Sequence, residues 1–465
     1  MSDEGLRAAQ QAMRDAHVDP VTADVFTAYY RQLEAGATGM VPEDSIAPLV
    51  DPPRLDAVTV SDDDAREALA RTVIVKLNGG LGTSMGLDGA KSALEVRDGR
   101  SFLDLVAAQV LAARRDWDAR LPLLFLNSFR THDDTLEALR PYPDLPVDGL
   151  PLDVLQSRVP KLRVDDLTPV SWPADPELEW CPPGHGDVYP ALLSARVFDR
   201  LLDAGFRYAS VSNADNLGAA PDARVAGWFA ASGAPFAVEL CRRTAMDRKG
   251  GHLARRRADG RLVLREVAQT PPTEQDLFTD IDRHRYFNTN NLWWDLAAVR
   301  DALTERHGVL GLPLIRNVKT VDPTDPTSPQ VIQVESAMGA AVEVFDGATA
   351  VVVDRSRFLP VKTTDELALL RSDAYEVTDD ARLRLVADDG RAPVVELSEA
   401  YQTIAAFEER FAAGVPSLRR ATSLRVLGDW AFGEGITVVG DVVLGPGGGV
   451  VPDGAVLDNT VLDGT

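Results

Sequence analysis

The sequence predicts an α/β protein with a doubly wound, mainly parallel, Rossmann-like sheet, followed by a C-terminal parallel β-helix. From about residue 70 to residue 375, short apolar segments alternate with helical stretches, as in successive β–α–β units. One of these segments, residues 73–75, runs directly into a glycine-rich loop. Near the C-terminus, an aliphatic or aromatic residue returns every six positions, which is the period of a β-helix.

The first 45 residues are predicted to be helical and to pack on the main domain. Val25, Tyr29 and Leu33 recur at helical spacing, and Phe26 and Tyr30 lie beside them. We therefore expect three parts: an N-terminal helical segment over residues 1–45, a main domain over residues 46–375, and a C-terminal domain over residues 376–465.

The main domain places polar residues where a strand ends. The apolar segments LPLLFLNS (121–128), RYASVSN (207–213) and PFAVELC (235–241) have the composition of buried strands. In open α/β sheets, ligands bind beyond the carboxyl ends of the strands. Asn213 and Asp215 lie at such an end, and so does the glycine loop.

The segment VIVKLNGGLGTSMGLDGAKS, residues 73–92, predicts a phosphate-binding loop. Glycines allow several backbone N–H groups to face one anion, and Lys91 adds a full positive charge. The dinucleotide fingerprint G-x-G-x-x-G fits Gly80 and Gly82 but requires glycine at Met85. The Walker A pattern fails as well, because Ala90 precedes Lys91. A Rossmann dehydrogenase and a P-loop NTPase are therefore disfavoured.

The C-terminal 40 residues have a repeat of six. A hexapeptide repeat places one inward-facing apolar residue on each short strand, and stacked turns bury these residues as one column. Open strand edges at the end of such a column make it the expected place for contact between subunits. The predicted inward residues are Val426, Phe432, Val438, Leu444, Val450, Val456 and Leu462.

The charge of the chain limits its partners. The formal net charge is −23 and the sequence pI is about 4.7. Nucleic acids and anionic membranes usually bind basic surfaces, so neither is an expected partner. A phosphorylated substrate would need a local positive pocket, supplied by a metal ion and a few placed cations.

Cysteine usage and the N-terminus predict a cytoplasmic protein. The two cysteines, Cys181 and Cys241, are too few for a disulfide framework and lack metal-ligand spacing. The first residues, MSDEGLRAAQQAMRD, contain no apolar signal segment, and no apolar run is long enough to span a membrane.

Lysine is rare here, which makes its positions informative. Six lysines stand among 48 basic residues, so arginine is the default cation of the chain. Arginine cannot replace a compact ammonium group where one is needed. The six are Lys76, Lys91, Lys161, Lys249, Lys319 and Lys362.

Seven collinear blocks carry a resemblance to a known family. They are KLNGGLGTSMGLDGAKS from Lys76, PLDVLQSRVPKL from Pro151, PPGHGDVY from Pro182, VSNADNLGA from Val211, KGGHL from Lys249, FNTNNLWW from Phe287 and RSRFLPVKTTDEL from Arg355. In this order they resemble the eukaryotic-type UTP–glucose-1-phosphate uridylyltransferases, over about residues 72–375. The resemblance implies the nucleotide-diphospho-sugar transferase fold, a left-handed coil for the β-helix, Mg²⁺ as cofactor, and conversion of UTP and glucose 1-phosphate to UDP-glucose and pyrophosphate.

The same resemblance implies the site residues. Those expected around the nucleotide are Leu77, Asn78, Gly79, Gly80, Lys91, Gln156, Gly184, Asn213 and Asp215. Those expected around the sugar phosphate are His185, Gly186, Glu266, Asn288, Asn290 and Lys362, with Asn291 a third asparagine in the same block.

The resemblance implies a role for each principal residue, and the chemistry of each side chain suits that role. Asp215 is the expected Mg²⁺ carboxylate, since hard oxygen ligands suit this ion. Lys362 and Lys91 are the expected catalytic residues, which offset the negative charge of the reacting phosphates. Gln156 can both donate to and accept from the uracil edge. His185 can donate to a phosphate in either protonation state, so its expected role is binding rather than proton transfer.

Two other functions stay open at this point. One is uridylyl transfer to a different sugar 1-phosphate, such as an N-acetylhexosamine or galactose derivative, because the sequence does not show the shape of the pocket. The other is a non-catalytic nucleotide-sugar binding protein, which should have lost Lys91, Asp215 or Lys362, whereas all three are present.

Overall fold

The computed structural model describes residues 2–464 and folds them into a mixed α/β protein. Within these residues the α-helices are α1 Ser2–Asp15, α2 Pro20–Glu34, α3 Asp62–Ala70, α4 Phe102–Trp117, α5 His132–Leu139, α6 Val188–Ser194, α7 Val197–Asp203, α8 Ala223–Ser232, α9 Gln275–Thr279, α10 Leu296–Glu305, α11 Thr364–Arg371 and α12 Ile404–Arg410.

A ten-stranded sheet forms the centre of the molecule. Its strands, in chain order, are β1 Ile46–Pro48, β2 Thr72–Asn78, β3 Leu123–Asn127, β4 Asp153–Leu155, β5 Tyr208–Asn213, β6 Phe236–Arg242, β7 His252–Arg256, β8 Leu262–Arg265, β9 Tyr286–Asp295 and β10 Thr349–Val352. The main path runs β1–β7–β9–β5–β2–β3–β4; β6 pairs with β9 and β10, and β8 pairs with β7.

The parallel part of this sheet carries the glycine loop. Strands β5, β2, β3 and β4 are parallel neighbours, and β6 and β10 form a further parallel pair. Strand β9 runs antiparallel to both β5 and β6. The carboxyl ends of β2, β3 and β5 therefore meet at one edge, as in the predicted doubly wound sheet.

Alternate residues of the strands enter two separate cores, one on each face. Ile74 joins the face covered by α3, α4, α8 and α11, whereas Val73 and Val75 join the face covered by α6, α7 and α10. Phe125 and Leu126 divide in the same way on β3. This alternation follows from the two-residue period of a strand, and helices on both faces make the sheet doubly wound.

The N-terminal helices cover a smaller apolar core. Leu6 and Met13 of α1 and Phe26 and Tyr30 of α2 are buried against Ile332 and its neighbours. The strands outside the central sheet and before residue 390 are Glu95–Arg97, Arg100–Ser101, Val159–Pro160, Leu162–Arg163, Trp180–Cys181, Ile315–Thr320, Gln330–Glu335, Tyr375–Val377 and Leu383–Leu385.

The C-terminal strands pair in parallel. They are β11 Val394–Leu397, β12 Ser417–Val426, β13 Trp430–Phe432, β14 Thr437–Leu444, β15 Gly449–Val451, β16 Val456–Asp458 and β17 Val461–Leu462. Strand β12 pairs with β11 and β14, β13 pairs with β15, and β14 pairs with β16 and β17, all in parallel.

The predicted inward column is right for its first four residues and wrong for the next two. Val426, Phe432, Val438 and Leu444 are buried. Val450 and Val456 are 72% and 63% exposed, and their neighbours Val451 and Leu457 are buried instead. The register explains the shift. Val426 pairs with Leu444, whereas Trp430 pairs with Gly449, so the glycine-rich turn between Leu444 and Gly449 holds one extra residue. Leu462 is partly buried at the end of the column.

No helix of the described chain, residues 2–464, has the length and apolar character needed to cross a membrane.

Candidate active site

A cavity of about 320 Å³ opens at the carboxyl ends of β2, β3 and β5. Ten of the predicted site residues line it, namely Leu77, Asn78, Gly79, Gly80, Lys91, Gln156, Gly184, His185, Asn213 and Asp215. Four further residues complete the lining: Ser92, Leu126, Pro182 and Ala214. Five separate stretches of sequence therefore converge on one space.

The glycine loop turns back on itself to bring Lys91 into the cavity. The φ angles of Gly82 and Gly86 are 63° and 72°, in the left-handed region that side chains disfavour. The backbone N–H of Lys91 donates to the carbonyl of Gly80 at 3.2 Å, which closes the loop. Gly79 is needed for another reason: a Cβ there would lie 2.7 Å from Oε1 of Gln156.

Lys91 joins three elements of the site. Its Nζ lies 2.7 Å from Oδ2 of Asp215 and also donates to the backbone carbonyl of Val361. Lys362, the second predicted catalytic lysine, directly follows Val361. Lys91 therefore connects the glycine loop both to the turn after β5, through Asp215, and to the segment that carries Lys362. Both charged side chains are largely but not fully buried, at 14% and 21% exposure, so a ligand can still reach them.

Asp215 can offer one carboxylate oxygen to a divalent cation. Its Oδ1 is buried and has no hydrogen-bond partner in the described part of the chain, an arrangement that is costly unless a ligand satisfies it. The same residues contain no cluster of three or more histidine, cysteine or acidic side chains placed to hold a metal. A metal here would therefore take one oxygen from Asp215 and the rest from phosphate groups and water, as Mg²⁺ commonly does.

His185 presents a neutral ring with a defined tautomer. The backbone N–H of Met338 donates to Nδ1 of His185 at 2.9 Å, so the proton of the neutral ring lies on Nε2. Burial lowers the pKa of His185 to about 4. The side chain therefore offers one N–H donor to an anion near neutral pH and carries no charge.

The loop around His185 is packed against residues 336–338. The N–H of Gly186 donates to the carbonyl of Ser336 at 2.9 Å. A Cβ at Gly184 or Gly186 would lie 2.6 Å or 2.3 Å from atoms of Ser336, so both positions accept only glycine without a shift. Gly186 is thus a packing residue and, unlike Gly184, does not line the cavity.

Gln156 is held by its backbone, and its amide makes no hydrogen bond to the part of the chain that the structure describes. Its N–H donates to the carbonyl of Asn127 at 2.7 Å, and the next N–H, of Ser157, donates to the carboxylate of Asp187 at 2.5 Å. Burial raises the pKa of Asp187 to about 6, which its hydrogen bonds from Ser157 oppose. The side chain of Gln156 lies at the cavity with its amide beside Gly79.

The amide of Asn78 is engaged inside the protein. Its Nδ2 donates to Oδ1 of Asn127 at 2.9 Å and to Oγ1 of Thr135 at 2.8 Å, which uses both hydrogens. Asn78 therefore shapes the start of the glycine loop, and its side chain is not free to donate to a nucleotide.

The residues predicted to bind the sugar phosphate, apart from His185, lie outside the cavity lining. Asn288 and Asn290 bond to each other, with Nδ2 of Asn288 2.8 Å from Oδ1 of Asn290. Asn290 has a φ of 59°, a conformation that asparagine tolerates better than most residues. Asn291 is buried, and its amide donates to Glu239 and to the carbonyl of Arg357, so it is structural.

Glu266 and Lys362 belong to the same region. Burial raises the pKa of Glu266, and the positive charges of Lys362 and Arg243 oppose that rise. Lys362 is exposed, and its backbone N–H donates to Glu366 at 3.3 Å. Within residues 2–464, its ammonium group has no hydrogen bond or salt bridge, which leaves it available to a ligand.

Sequence reasoning missed four lining residues and one buried cation. Ala214 and Ser92 flank predicted residues, so their neighbours could have indicated them, whereas Leu126 and Pro182 gave no chemical signal. Lys76 was noted as one of the six lysines without a role. It is buried beneath the site, 1% exposed.

Comparison with known proteins adds independent information. The sequence profile of the family described as UTP–glucose-1-phosphate uridylyltransferase matches residues 23–439. The chain is 38% identical over 433 residues to the UTP–glucose-1-phosphate uridylyltransferase of Solanum tuberosum, covering 91% of this chain and 86% of that protein. It is 37% identical over 400 residues to the Saccharomyces cerevisiae protein of the same name, covering 85% and 79%.

Solved structures with the same fold extend over nearly the whole chain. The crystal structure described as UDP-glucose phosphorylase from Trypanosoma brucei has a TM-score of 0.90 and 43% identity and covers 99% of both chains. A variant of UDP-glucose pyrophosphorylase from Leishmania major, in complex with UDP-glucose, has a TM-score of 0.93 and 42% identity, again over 99% of each chain.

Proposed function

The chain belongs to the UTP–glucose-1-phosphate uridylyltransferase family, and we propose that it converts UTP and α-D-glucose 1-phosphate to UDP-glucose and pyrophosphate. The observation that carries this proposal is the convergence of residues 77–91, 156, 184–185 and 213–215 on one cavity. That cavity combines an anion-binding loop, a cation–carboxylate pair and a free side-chain amide, which are the groups that a nucleoside triphosphate requires.

The reaction is an in-line displacement at the α-phosphorus of UTP. A phosphate oxygen of glucose 1-phosphate forms the new P–O bond, and the bond from the α-phosphorus to the oxygen bridging to the β-phosphate breaks. Pyrophosphate leaves with that electron pair. The attacking oxygen is already an anion, so no general base is needed and catalysis depends on position and charge.

The proposed nucleotide-binding residues line the cavity. Gly79, Gly80 and Lys91 line the space where the phosphates would bind, and the backbone N–H groups of the two glycines would donate to them. The free amide of Gln156 is placed to read the uracil edge. Leu77, Gly184 and Asn213 complete the walls.

The sugar-phosphate side combines His185 with the segment that carries Lys362. The neutral ring of His185 would donate from Nε2 to a phosphate oxygen. The unpaired ammonium group of Lys362 would offset charge on the reacting phosphates, where a preorganised cation is most effective. Asn288, Asn290 and Glu266 are the proposed readers of the sugar hydroxyls, with Gly186 supporting the loop.

Mg²⁺ is the proposed metal, held by Oδ1 of Asp215. When bound there, it would screen the phosphate charges of UTP. The side chain of Lys91 already neutralises Oδ2 of the same carboxylate. Asp215 therefore has one oxygen for Lys91 and one for a metal.

Pyrophosphate release from UTP with a panel of sugar 1-phosphates tests the proposed function. We expect robust turnover with glucose 1-phosphate and much slower turnover with galactose and N-acetylhexosamine derivatives. Turnover with an acetamido sugar but not with glucose 1-phosphate would contradict the assigned substrate. Tight UDP-glucose binding without turnover on any member of the panel would indicate a binding protein.

The C-terminal strands are proposed to form a left-handed β-helix at which subunits meet. From Arg420 onward, the parallel pairs join residues 18 or 19 positions apart, as in coils of three hexapeptides. Val450, Val456 and Val461 are more than 60% exposed on it. Three apolar side chains on one coil suit a contact between copies of the chain.

The division of the chain and its location are further proposals. We propose that residues 1–45, 46–375 and 376–465 form the three structural units, which limited proteolysis would test by cleavage near their junctions.

Both cysteines are free and buried, which suits a reducing compartment, so we propose a cytoplasmic location. Fractionation of cells that express the chain would test it.

A further inference from the structure

Lys76 is a buried cation directly beneath the candidate site. It lies on β2 with 1% of its surface exposed, and it is not among the residues that line the cavity. Its Nζ donates to Oγ of Ser212 and to the backbone carbonyl of Ala219, both at 2.8 Å. In a chain with 42 arginines, one of the six lysines is buried away from the cavity lining.

The two acceptors of Lys76 stand at either end of the turn that presents Asp215. Ser212 precedes this turn, residues 213–218, and Ala219 follows it. One ammonium group therefore fixes the distance between the two ends of the turn. A guanidinium group is larger and planar, and it could not take the place of this compact donor without displacing its buried neighbours.

The rest of the turn is tied to the elements on both sides. The N–H of Ala214 donates to the carbonyl of Leu77 at 2.9 Å, and the N–H of Val361 donates to the carbonyl of Asp215 at 3.3 Å. The side chain of Asn216 accepts from the N–H of Leu359 at 2.8 Å. The turn is thus a junction between the end of β2 and the segment that carries Lys362.

Burying this ammonium group is costly. Burial lowers the pKa of Lys76 to about 7, and the nearby charge of Arg357 lowers it further, whereas the carboxylates of Glu239 and Asp215 oppose the change. A methionine would occupy a similar volume without that cost. The lysine is therefore a poor choice for packing alone.

We propose that Lys76 is a positioning residue for Asp215: it clamps the ends of the 213–218 turn and so holds the carboxylate where Lys91 and a metal can share it. This inference rests on the proposed function, because Asp215 is assigned there as the metal ligand. Lys76 would then act on the reaction through Asp215 without contacting a substrate.

The chain offers a matched control. Lys161 is also buried, at 5% exposure, and its Nζ donates to a backbone carbonyl, that of Val321, at 3.0 Å. Burial lowers the pKa of Lys161 as well. It lies outside the cavity lining, so Lys161→Met removes a comparable buried ammonium group without touching the Asp215 turn.

A double-mutant cycle tests the proposal. Lys76→Met should lower kcat by about 10- to 100-fold, the scale for small misplacement of a reacting group. The stoichiometry and Kd of UDP-glucose binding without added metal, measured by isothermal titration calorimetry, should stay within about twofold, because the glycine loop and Gln156, which are proposed to hold the phosphates and the uracil, lie outside the 213–218 turn. In an Asp215→Asn background, Lys76→Met should lower kcat by less than about twofold, since its effect passes through that carboxylate.

Three results would overturn the inference. One is a similar loss of kcat on Lys76→Met in both backgrounds. Another is a fall in UDP-glucose stoichiometry that matches the loss of kcat, which would mean misfolding alone. The third is an equal loss on Lys161→Met. The proposed function fails separately, if the unmodified protein itself releases no pyrophosphate from UTP in the presence of any sugar 1-phosphate.

Discussion

Gly79→Ala should weaken UTP binding through a side chain that it displaces. A Cβ at Gly79 would lie 2.7 Å from Oε1 of Gln156 and 3.0 Å from both its Cδ and Nε2. The backbone cannot yield easily on either side, because Asn78 is paired in register with Asn127 on β3 and the N–H of Gln156 donates to the carbonyl of Asn127. The amide of Gln156 must therefore rotate away from the cavity.

The expected loss follows from the hydrogen bonds of that amide. If it both donates to and accepts from uracil, displacing it removes two hydrogen bonds of about 0.5–1.5 kcal/mol each. The sum of about 1–3 kcal/mol corresponds to about a 5- to 150-fold weaker Kd for UTP. The turnover of bound substrate should change much less, because Asp215 follows β5 and the ammonium group of Lys91 is held by Asp215 and by the carbonyl of Val361.

Isothermal titration calorimetry with UTP measures this effect on Gly79→Ala, on Gln156→Ala and on the double variant. The double variant should bind UTP no more weakly than Gln156→Ala, since there is no longer an amide to displace. Full additivity of the two losses would refute the reasoning. In Gly80→Ala, the new Cβ meets no atom of the described residues within 4 Å apart from its chain neighbours, so any loss there reports contact with the ligand itself.

Three further predictions follow from the site and the C-terminal strands. Lys362→Ala should lower kcat by about 100-fold or more, the scale for removing a preorganised charge; undiminished pyrophosphate release would reject its role. Because burial lowers the pKa of His185 from 6.5 to about 4, the unfolded state binds more protons than the folded state between these values. As the pH drops through that window, the free energy of unfolding of the wild type should then fall by up to about 3 kcal/mol more than that of His185→Gln. Urea titrations of both proteins at pH 7 and 4.5 measure this difference. An equal fall in the free energy of unfolding of the two proteins would show that the ring is not held neutral. Replacing Val450 and Val456 together by aspartate should reduce the sedimentation coefficient if copies meet there; an oligomer that persists would argue against this contact.

Residues that follow strand ends could be predicted to gather at one cavity. A strand that runs into glycines, and a second strand that ends in SNAD, must meet at the same edge of a parallel sheet. That rule alone brings Lys91 and Asp215 together, at 2.7 Å in the structure. Collinear blocks added Gln156 and His185, which the pattern of apolar strands in the sequence did not single out.

Other features could not be predicted because they depend on side-chain direction and register. Nothing in KLNGG, residues 76–80, shows that the amide of Asn78 donates to Asn127 or that the ammonium group of Lys76 donates to Ser212. The exposure of Val450 results from one extra residue in a glycine-rich turn, which a regular six-residue spacing conceals. Local patterns fix which residues belong to an element but not how a turn shifts the next one.

A crystal structure with UDP-glucose and Mg²⁺ tests the central claim most directly. We expect the diphosphate against the backbone N–H groups of Gly79 and Gly80, the uracil at the amide of Gln156, and the metal at Oδ1 of Asp215. A nucleotide bound anywhere else on the chain, or a metal held without Asp215, would contradict the account.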